Sequence, residues 1–350
     1  MGALSAAVLE NATNAAFDYF DKNQLYNQHI QEKPLLKALK ANQKSFPGGK
    51  EDLVCNPVFE TQSSLEGFEG DDTVTFTNPT PIKEVRYPWK MQHLGIKMTT
   101  QELLKNGITV TETNGESTSK VAKSDLIRIQ DVLEAKMADA SEGWAAGMNE
   151  MFWKDGTAST KDVPGIQYFI AENPTSGVVG GIDRALQPLW RNIALTTANG
   201  GTQITPSTTN STLIRTLQKQ VRQLRRYGNP NLLILAGSDF MDALEDEVYA
   251  KGDLTQTGFG NKTEAGVSEK ISIRGLGTFQ YDPTLDDLSK SKFCYFIDLK
   301  AIQLRPIEGE DMKKHTPRRP HDKFVMYKSW TWAGGMTMKQ GNTSMVAEIA

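Results

Sequence analysis

The sequence predicts an α+β protein in which a rigid core carries extended polar appendages. Three observations predict it. Apolar residues between about 125 and 153 recur at helical spacing over a length unusual for a domain helix, the stretch from about 200 to 300 alternates helix and strand signals, and residues 51–98 read as strands with polar residues on both faces.

Composition sets the frame. A chain of 350 residues exceeds what one hydrophobic core normally organises, so two domains, or one large domain with extensions, are expected. Hydrophobic residues make up 38% and charged residues 23%, with both signs interspersed and a net charge of -3. That is the profile of a soluble globular protein, with no gross attraction to nucleic acid or membrane, although local patches can still bind either. No apolar run approaches the roughly 18 residues that would suggest a transmembrane helix.

Taken in order, MGALSAAVLENATNAAFDYF lacks a basic n-region and reaches acidic residues before any lysine, so it reads as a retained N-terminus. The myristoylation pattern fails because Ala6 stands where Ser or Thr is required. KPLLKALKANQKSFPGGK comes next, a basic segment with Lys33, Lys37, Lys40, Lys44 and Lys50, in which Pro47, Gly48 and Gly49 stop any helix. DLVCNPVFE, TVTFTN and IKEVRYPWKMQHLGIKMT then alternate as strands around the acidic tip SSLEGFEGDD. Too many polar residues lie on both faces for a sheet core, and an isolated ribbon is marginal in water, so this long hairpin makes most sense lying on another subunit.

Asp125 to Trp153 is the strongest helix, capped by Ser124 and striped by Leu126, Ile129, Leu133, Met137, Ala140, Trp144, Met148 and Met151. At 1.5 Å per residue it is about 40 Å long, the length of a structural spine. The alternative is a coiled coil, against which stand Gly143 and Gly147 and the lack of a second such helix. Further on, STLIRTLQKQVRQLRRYGN is amphipathic, burying Leu213, Leu217, Val221 and Leu224 and turning Arg215, Lys219, Arg222 and Arg226 outward. PNLLILAG is a short buried strand, and SDFMDALEDEVYA is a helix capped by Ser238 or Asp239. KGDLTQTGFGNKTEAG reads as a mobile loop, strands lie around ISIRG, TFQYD, KFCYFID and AIQLRP, and the segment from 323 to 350 alternates like edge or outer strands.

Chemistry-bearing motifs are scarce. Cys55 and Cys294 lie far apart without metal-type spacing, which suits two packed thiols in a reducing compartment. His29, His93, His315 and His321 sit in four different contexts with no HExxH, and His321 beside Asp322 reads as part of a solvated basic loop rather than a metal site. There is no GxSxG, CxxC, GxxxxGK[ST] or DFG-type set, and the acidic run DALEDE reads as a wet helix face. GVVGG at 177–181 is the one glycine-rich candidate for a nucleotide site. A phosphate loop needs a strand before the glycines and a helix opening at them, whereas here turn residues precede them, Pro188 interrupts the segment on their C-terminal side, and GxxGG does not match GxGxxG. A tight turn between closely packed segments is the better reading, and LLILAGSDF is likewise an ordinary strand-to-helix turn.

FPGGKE at 46–51, WKMQHLGIKMTTQELLKNGI at 89–108 and PGIQYFIAENPTSGVVGGIDRALQPLWRN at 164–192, in this order around a hairpin and a long helix, resemble the major capsid proteins of tailed bacteriophages. The resemblance spans about residues 30–350, and GGIDRALQPLWRN is its most specific part. It implies a Hong Kong 97-like fold, shared with herpesvirus capsid proteins and encapsulins: an N-terminal arm (1–50), an extended hairpin or E-loop (51–98), a peripheral domain with a spine helix (99–195), an axial domain (196–300) and C-terminal strands returning to the peripheral domain (301–350). The implied function is structural rather than enzymatic, without cofactor or membrane. Copies would assemble in the host cytoplasm into pentamers and hexamers of an icosahedral virion shell around double-stranded DNA, with scaffold, portal and decoration proteins as further partners. An encapsulin-like compartment shell and an α/β nucleotide-binding enzyme are the alternatives.

In this light Phe76, Tyr87 and Trp89 are candidate anchors on a neighbouring subunit, or aromatic residues packed within the hairpin. Asp183, Arg184, Trp190 and Arg191 are candidates for a structural or intersubunit hydrogen-bond network. Lys33, Lys37, Lys40, Lys44, Arg222, Arg225 and Arg226 either face packaged DNA through phosphate contacts or pair with acidic surfaces such as EGFEGDD of a neighbour. Some members of the family weld subunits by a Lys–Asn bond; Lys83 and Lys90 lie in the hairpin, but no motif marks a cross-linking pair.

Overall fold

The computed structural model describes residues 4–5, 32–49, 51–59, 65–73, 75–76, 82–99, 101, 110–111, 123–250, 270–273, 275–318 and 325–350. In chain order the elements are β1 (Leu4–Ser5), α1 (Pro34–Ala41), β2 (Asp52–Cys55), β3 (Val85–Pro88), β4 (Lys90–Thr99), β5 (Val110–Thr111), α2 (Lys123–Trp153), α3 (Ile166–Phe169), β6 (Val178–Val179), β7 (Ile182–Asp183), β8 (Ile193–Leu195) and α4 (Thr212–Arg225). They continue with β9 (Leu232–Ala236), α5 (Ser238–Ala250), β10 (Lys270–Ile273), β11 (Gly277–Tyr281), α6 (Pro283–Asp287), β12 (Phe293–Asp298), β13 (Ile302–Pro306), β14 (Lys313–Arg318), β15 (Val325–Met338) and β16 (Met345–Glu348). The chain divides into two units, one of residues 1–31, 91–148 and 308–333, the other of 32–90, 149–307 and 334–350; the division falls inside β4, inside α2 and inside β15.

The second unit is built on a six-stranded mixed sheet in the order β10-β11-β9-β12-β16-β8. Ile234, Ala236, Phe279, Cys294, Phe296, Met345 and Ala347 are buried with Leu213, Leu217, Val221 and Leu224 of α4 and Phe240, Met241 and Leu244 of α5 in one core. Each of the larger side chains, Leu, Ile, Val, Phe or Met, contributes roughly 2 kcal/mol on leaving water. Among the alternate residues, Tyr295 meets Trp153, at the end of α2, edge to face with ring centroids 5.2 Å apart. Here the expected helices and their apolar stripes are found. The α5 cap differs: Asp286 accepts the Ser238 amide at 3.0 Å, and Asp239 accepts the Ser291 hydroxyl instead.

Three expectations need correction in this unit. The basic segment near 33–50 is not all arm: α1 buries Pro34, Leu35, Leu36 and Leu39, and the amides of Lys44 and Phe46 bond the carbonyls of Leu304 and Pro306 at 3.0 Å. Four apolar residues at helical spacing outweigh the lysines, which lie on the opposite side. The hairpin is not polar on both faces throughout either, since at its base β2 and β3 pair from Asp52↔Pro88 to Cys55↔Val85 and bury Leu53, Cys55, Val85 and Tyr87. Finally, β16 is no edge strand; it lies between β12 and β8 with all four residues buried, so the C-terminal segment completes the same sheet as residues 232–298.

In the first unit β14 runs antiparallel to the N-terminal part of β15, from Lys313↔Thr331 to Arg318↔Tyr327, with a bulge between His315 and Arg318. Residues Leu94, Met137, Ala140, Trp144, Met312 and Trp330 line an apolar cavity of about 150 Å³ there. The helix expected from Asp125 runs from Lys123, and at its far end, in the other unit, Phe152 and Trp153 are more deeply buried than Met151. The glycine-containing segment 251–266, expected to be a mobile loop, lies outside the described residues, as do His29, His321 and Asp322.

Candidate functional site

GVVGG is a minimal hairpin. Val178 pairs with Asp183 and Val179 with Ile182, leaving Gly180 and Gly181 as the two-residue turn. Their φ values of +62° and +85° are the left-handed pair that a type I′ turn requires and that glycine adopts without penalty. Gly180 also has no room for a side chain, because a Cβ there would stand 2.0 Å from Val85 Cγ1 and 3.0 Å from the Tyr87 ring. The turn's polar groups are already engaged: Gly180 N donates to the Tyr168 hydroxyl at 3.2 Å, and Gly180 O accepts the Arg86 amide at 3.1 Å. The sequence is a close-packing turn, and no helix opens at its glycines.

The residues after this turn are linked by hydrogen bonds. Arg184 is 2% exposed, and its Nη2 donates to the carbonyls of Tyr168 at 3.2 Å and Phe169 at 2.6 Å, while Nε has no partner among the described residues. Burial pulls the Arg184 guanidinium below its ordinary value, opposed by the nearby Tyr168 and Tyr87. The Arg191 guanidinium bonds the carbonyls of Arg184 at 2.6 Å and Ala185 at 2.8 Å. Asp183 accepts the Ala185 amide at 2.8 Å, and Trp190 Nε1 donates to Val179 O at 3.2 Å. These bonds all lie within one chain. Sequence reading missed Tyr168 and Asn192; Asn192 closes the network through Ala171, accepting its amide at 3.1 Å and donating to its carbonyl at 2.9 Å.

The three aromatic candidates separate. Tyr87 is 1% exposed, donates to Met338 O at 2.9 Å and meets Phe169 edge to face at 5.5 Å, so it anchors the hairpin to its own subunit; burial pushes its phenol well up. Trp89 is half-buried beside the close pass of Gly335, whose Cβ would lie 3.2 Å from Trp89 Cα. Phe76 is 91% exposed near the hairpin tip, together with Leu65 and Phe68. Glu66, Glu69, Asp71 and Asp72 are exposed around them.

Of the basic candidates, Lys37, Lys40, Lys44, Arg222, Arg225 and Arg226 are exposed and Lys33 is half-buried at the start of α1. His315 Nε2 lies 2.8 Å from the Thr331 hydroxyl, and no group of three or more His, Cys, Asp or Glu residues suited to a metal occurs among the described residues. Cys55 and Cys294 are buried and unbridged, and burial pushes the Cys294 thiol well up.

Two buried carboxylates escaped the sequence reading. Asp282 accepts Trp153 Nε1 and the Thr284 amide, each at 3.0 Å, and Asn149 extends this network by donating to Thr284 Oγ1 at 2.7 Å and accepting the Leu36 amide at 3.2 Å. Glu247 receives the amides of Ser207, Leu213 and Ile214 at 2.8, 3.0 and 3.1 Å. Its signal was its place in the stripe Phe240, Leu244, Glu247, which turns it inward from the run DALEDE.

No family model matches the sequence, and no curated protein matches it. Solved structures do. A chain of the cyanophage A-1(L) capsid asymmetric unit superposes with a TM-score of 0.63 at 14% identity, covering 93% of this chain and 94% of that one. The capsid of Myoviridae phage XM1 gives 0.54 at 7% identity, over 93% and 95% of the two chains. The capsid of a native GTA particle gives 0.53 at 10% identity, over 93% of each. At these identities the likeness is one of fold, and this chain has the mixed α+β fold of phage capsid chains.

Proposed function

We propose that the protein is a major capsid protein that self-assembles into the icosahedral shell of a tailed bacteriophage around double-stranded DNA. The observation that carries the reading is the shared fold over 93% of the chain, at a TM-score of 0.63. On this reading the residues preceding α1 are the arm of a Hong Kong 97-like fold, the hairpin between β2 and β3 its E-loop, α2 its spine, and the unit around the six-stranded sheet includes its axial domain. The role is structural and uses no cofactor.

A physical feature supports intersubunit use of the hairpin. Leu65, Phe68 and Phe76 are 103%, 70% and 91% exposed, and three large apolar side chains near one loop tip gain by being covered. Phe76, with Trp89 at the other end of the hairpin, is proposed as a contact on a neighbouring copy, in pentamers and hexamers. The face of α1 bearing Lys37 and Lys40, with Lys33 and Lys44 beside it, is proposed to meet packaged DNA through phosphates without reading sequence. Scaffold, portal and decoration proteins are the further partners of a virion shell assembled in the host cytoplasm.

Negative-stain electron microscopy with sedimentation of the protein expressed alone tests the reading. Closed shells, or rings of pentamer and hexamer size, are expected. A monomer or dimer that forms none, even with a co-expressed scaffold, overturns it.

A further inference from the structure

Charge on the two helices of the axial sheet face is segregated by sign. α4 with Arg226 carries Arg215, Lys219, Arg222, Arg225 and Arg226 and no acidic residue, whereas α5 carries Asp239, Asp242, Glu245, Asp246 and Glu247 and no basic residue. Arg215, Lys219, Arg222 and Arg226 recur at steps of four, three and four and are all exposed, so they form one basic ridge. Asp239, Asp242 and Asp246 are exposed at steps of three and four and form an acidic ridge. The helices lie against the same core, and Glu247 alone of the acids turns inward, onto the start of α4. None of the ridge residues makes an ion pair with a described residue. In a chain whose charges are otherwise interspersed, two adjacent, unpaired ridges of opposite sign call for partners.

We propose that the basic ridge of α4 in one copy docks on the acidic ridge of α5 in the next, a head-to-tail contact that closes into a ring. The proposal rests on the shell-assembly reading. It gives Arg222 and Arg226 a protein partner in place of DNA, for a reason visible in the fold: a polyanion laid on α4 would meet the carboxylates of α5 beside it. A second copy matches both ridges at once, and one rotation applied repeatedly satisfies every copy in a ring. Complementary potentials of this kind set register and encounter rate, and like charges placed opposite each other exclude a wrong pairing.

Charge reversal tests this with the full chain. Lys219→Glu with Arg222→Glu puts two carboxylates at the centre of the α4 ridge, and Asp242→Lys with Asp246→Lys puts two ammonium groups on the α5 ridge; all four positions are exposed, so the folded chain should melt as wild type does. Each variant alone is expected to need a protein concentration higher by about tenfold or more to form rings. An equimolar mixture restores rings, because copies alternate, but only those with an even number of subunits, so hexamers return and pentamers do not. A chain carrying all four substitutions assembles alone. Wild-type rings accompanied by unimpaired assembly of either double variant overturn the proposal while leaving the shell reading intact. So does a Lys219→Glu/Arg222→Glu variant that assembles normally but loses retained nucleic acid, which would place DNA on α4. Failure of the wild type to form rings under any condition counts against the shell reading itself.

Discussion

Glu247, in the interior of α5, accepts the backbone amide of Leu213, at the start of α4, at 3.0 Å. It also takes the amides of Ser207 and Ile214, so one carboxylate satisfies donors that a local cap would normally satisfy. The residue in the cap position, Ser211, has a left-handed φ of 47° and makes no side-chain cap bond.

Replacing Glu247 by Ala removes the acceptor of three amides, one of them fully buried. The expected loss is about 3 kcal/mol, combining a lost cap with buried donors left unpaired. Glu247→Gln keeps an acceptor for one end of the group and should lose less. Urea unfolding of the unassembled chain measures both, and an Ala variant as stable as wild type would refute the capping role.

Gly180 and Gly181 have similar backbone angles but different surroundings, which allows their contributions to be separated. Gly181→Ala meets nothing within 4 Å and should cost only the left-handed conformation, about 1 kcal/mol. Gly180→Ala adds a collision with Val85 and Tyr87 and should cost roughly 3 kcal/mol, enough to lower soluble yield. Equal effects would mean that the turn, rather than its seat against β3, sets the requirement for glycine.

Arg184 holds two carbonyls with one planar group inside the chain. Lysine is a single, more strongly hydrated point charge, so Arg184→Lys should destabilise by about 2 kcal/mol despite conserving charge. Asp183→Asn keeps the acceptor for the Ala185 amide at a half-buried position and should stay within roughly 0.5 kcal/mol. Thermal melts of both variants decide this, and a Lys variant that melts with wild type would show that the guanidinium geometry is dispensable.

Periodicity made much of this fold legible. The stripe Leu213, Leu217, Val221 and Leu224 and the buried run around Phe293–Asp298 are found where expected, because local patterning and burial agree there. It failed where a polar residue is spent on a distant partner. Glu348 makes β16 read as an alternating outer strand, yet its carboxylate is taken by Thr197 and Gln203. Glu247 reads as solvated for the same reason, since the amides it accepts lie as far as 40 residues away in sequence. Tyr87 reads as an anchor on a neighbouring subunit or as packed within the hairpin, because its hydroxyl partner, Met338 O, is remote along the chain. The Arg184–Arg191 network was legible as a cluster of types in one stretch, but its carbonyl acceptors carry no sequence signature.

Glu348 and Asp282 should give opposite pH signatures. At Glu348 burial pushes the carboxyl up, but hydrogen bonds from the Thr197 amide, Gln203 and the Thr197 hydroxyl, with Lys290 nearby, outweigh it and hold the group below its ordinary 4.5. Its stabilisation is therefore present above that value and lost as pH falls through the folded one. At Asp282 burial dominates and raises the carboxyl above its ordinary 3.8, against the hydrogen bonds from Thr284 and Trp153. The folded state there keeps its proton longer than the unfolded chain, so this contribution declines as pH rises from 3.8 through the raised value and is constant beyond it. Unfolding free energies measured across this range for wild type, Glu348→Gln and Asp282→Asn separate the two. The gap between wild type and Glu348→Gln should close on acidification, whereas the stability of wild type relative to Asp282→Asn should rise, because only the native Asp282 regains a favourable proton. Parallel curves for all three proteins would mean that neither carboxylate couples folding to pH.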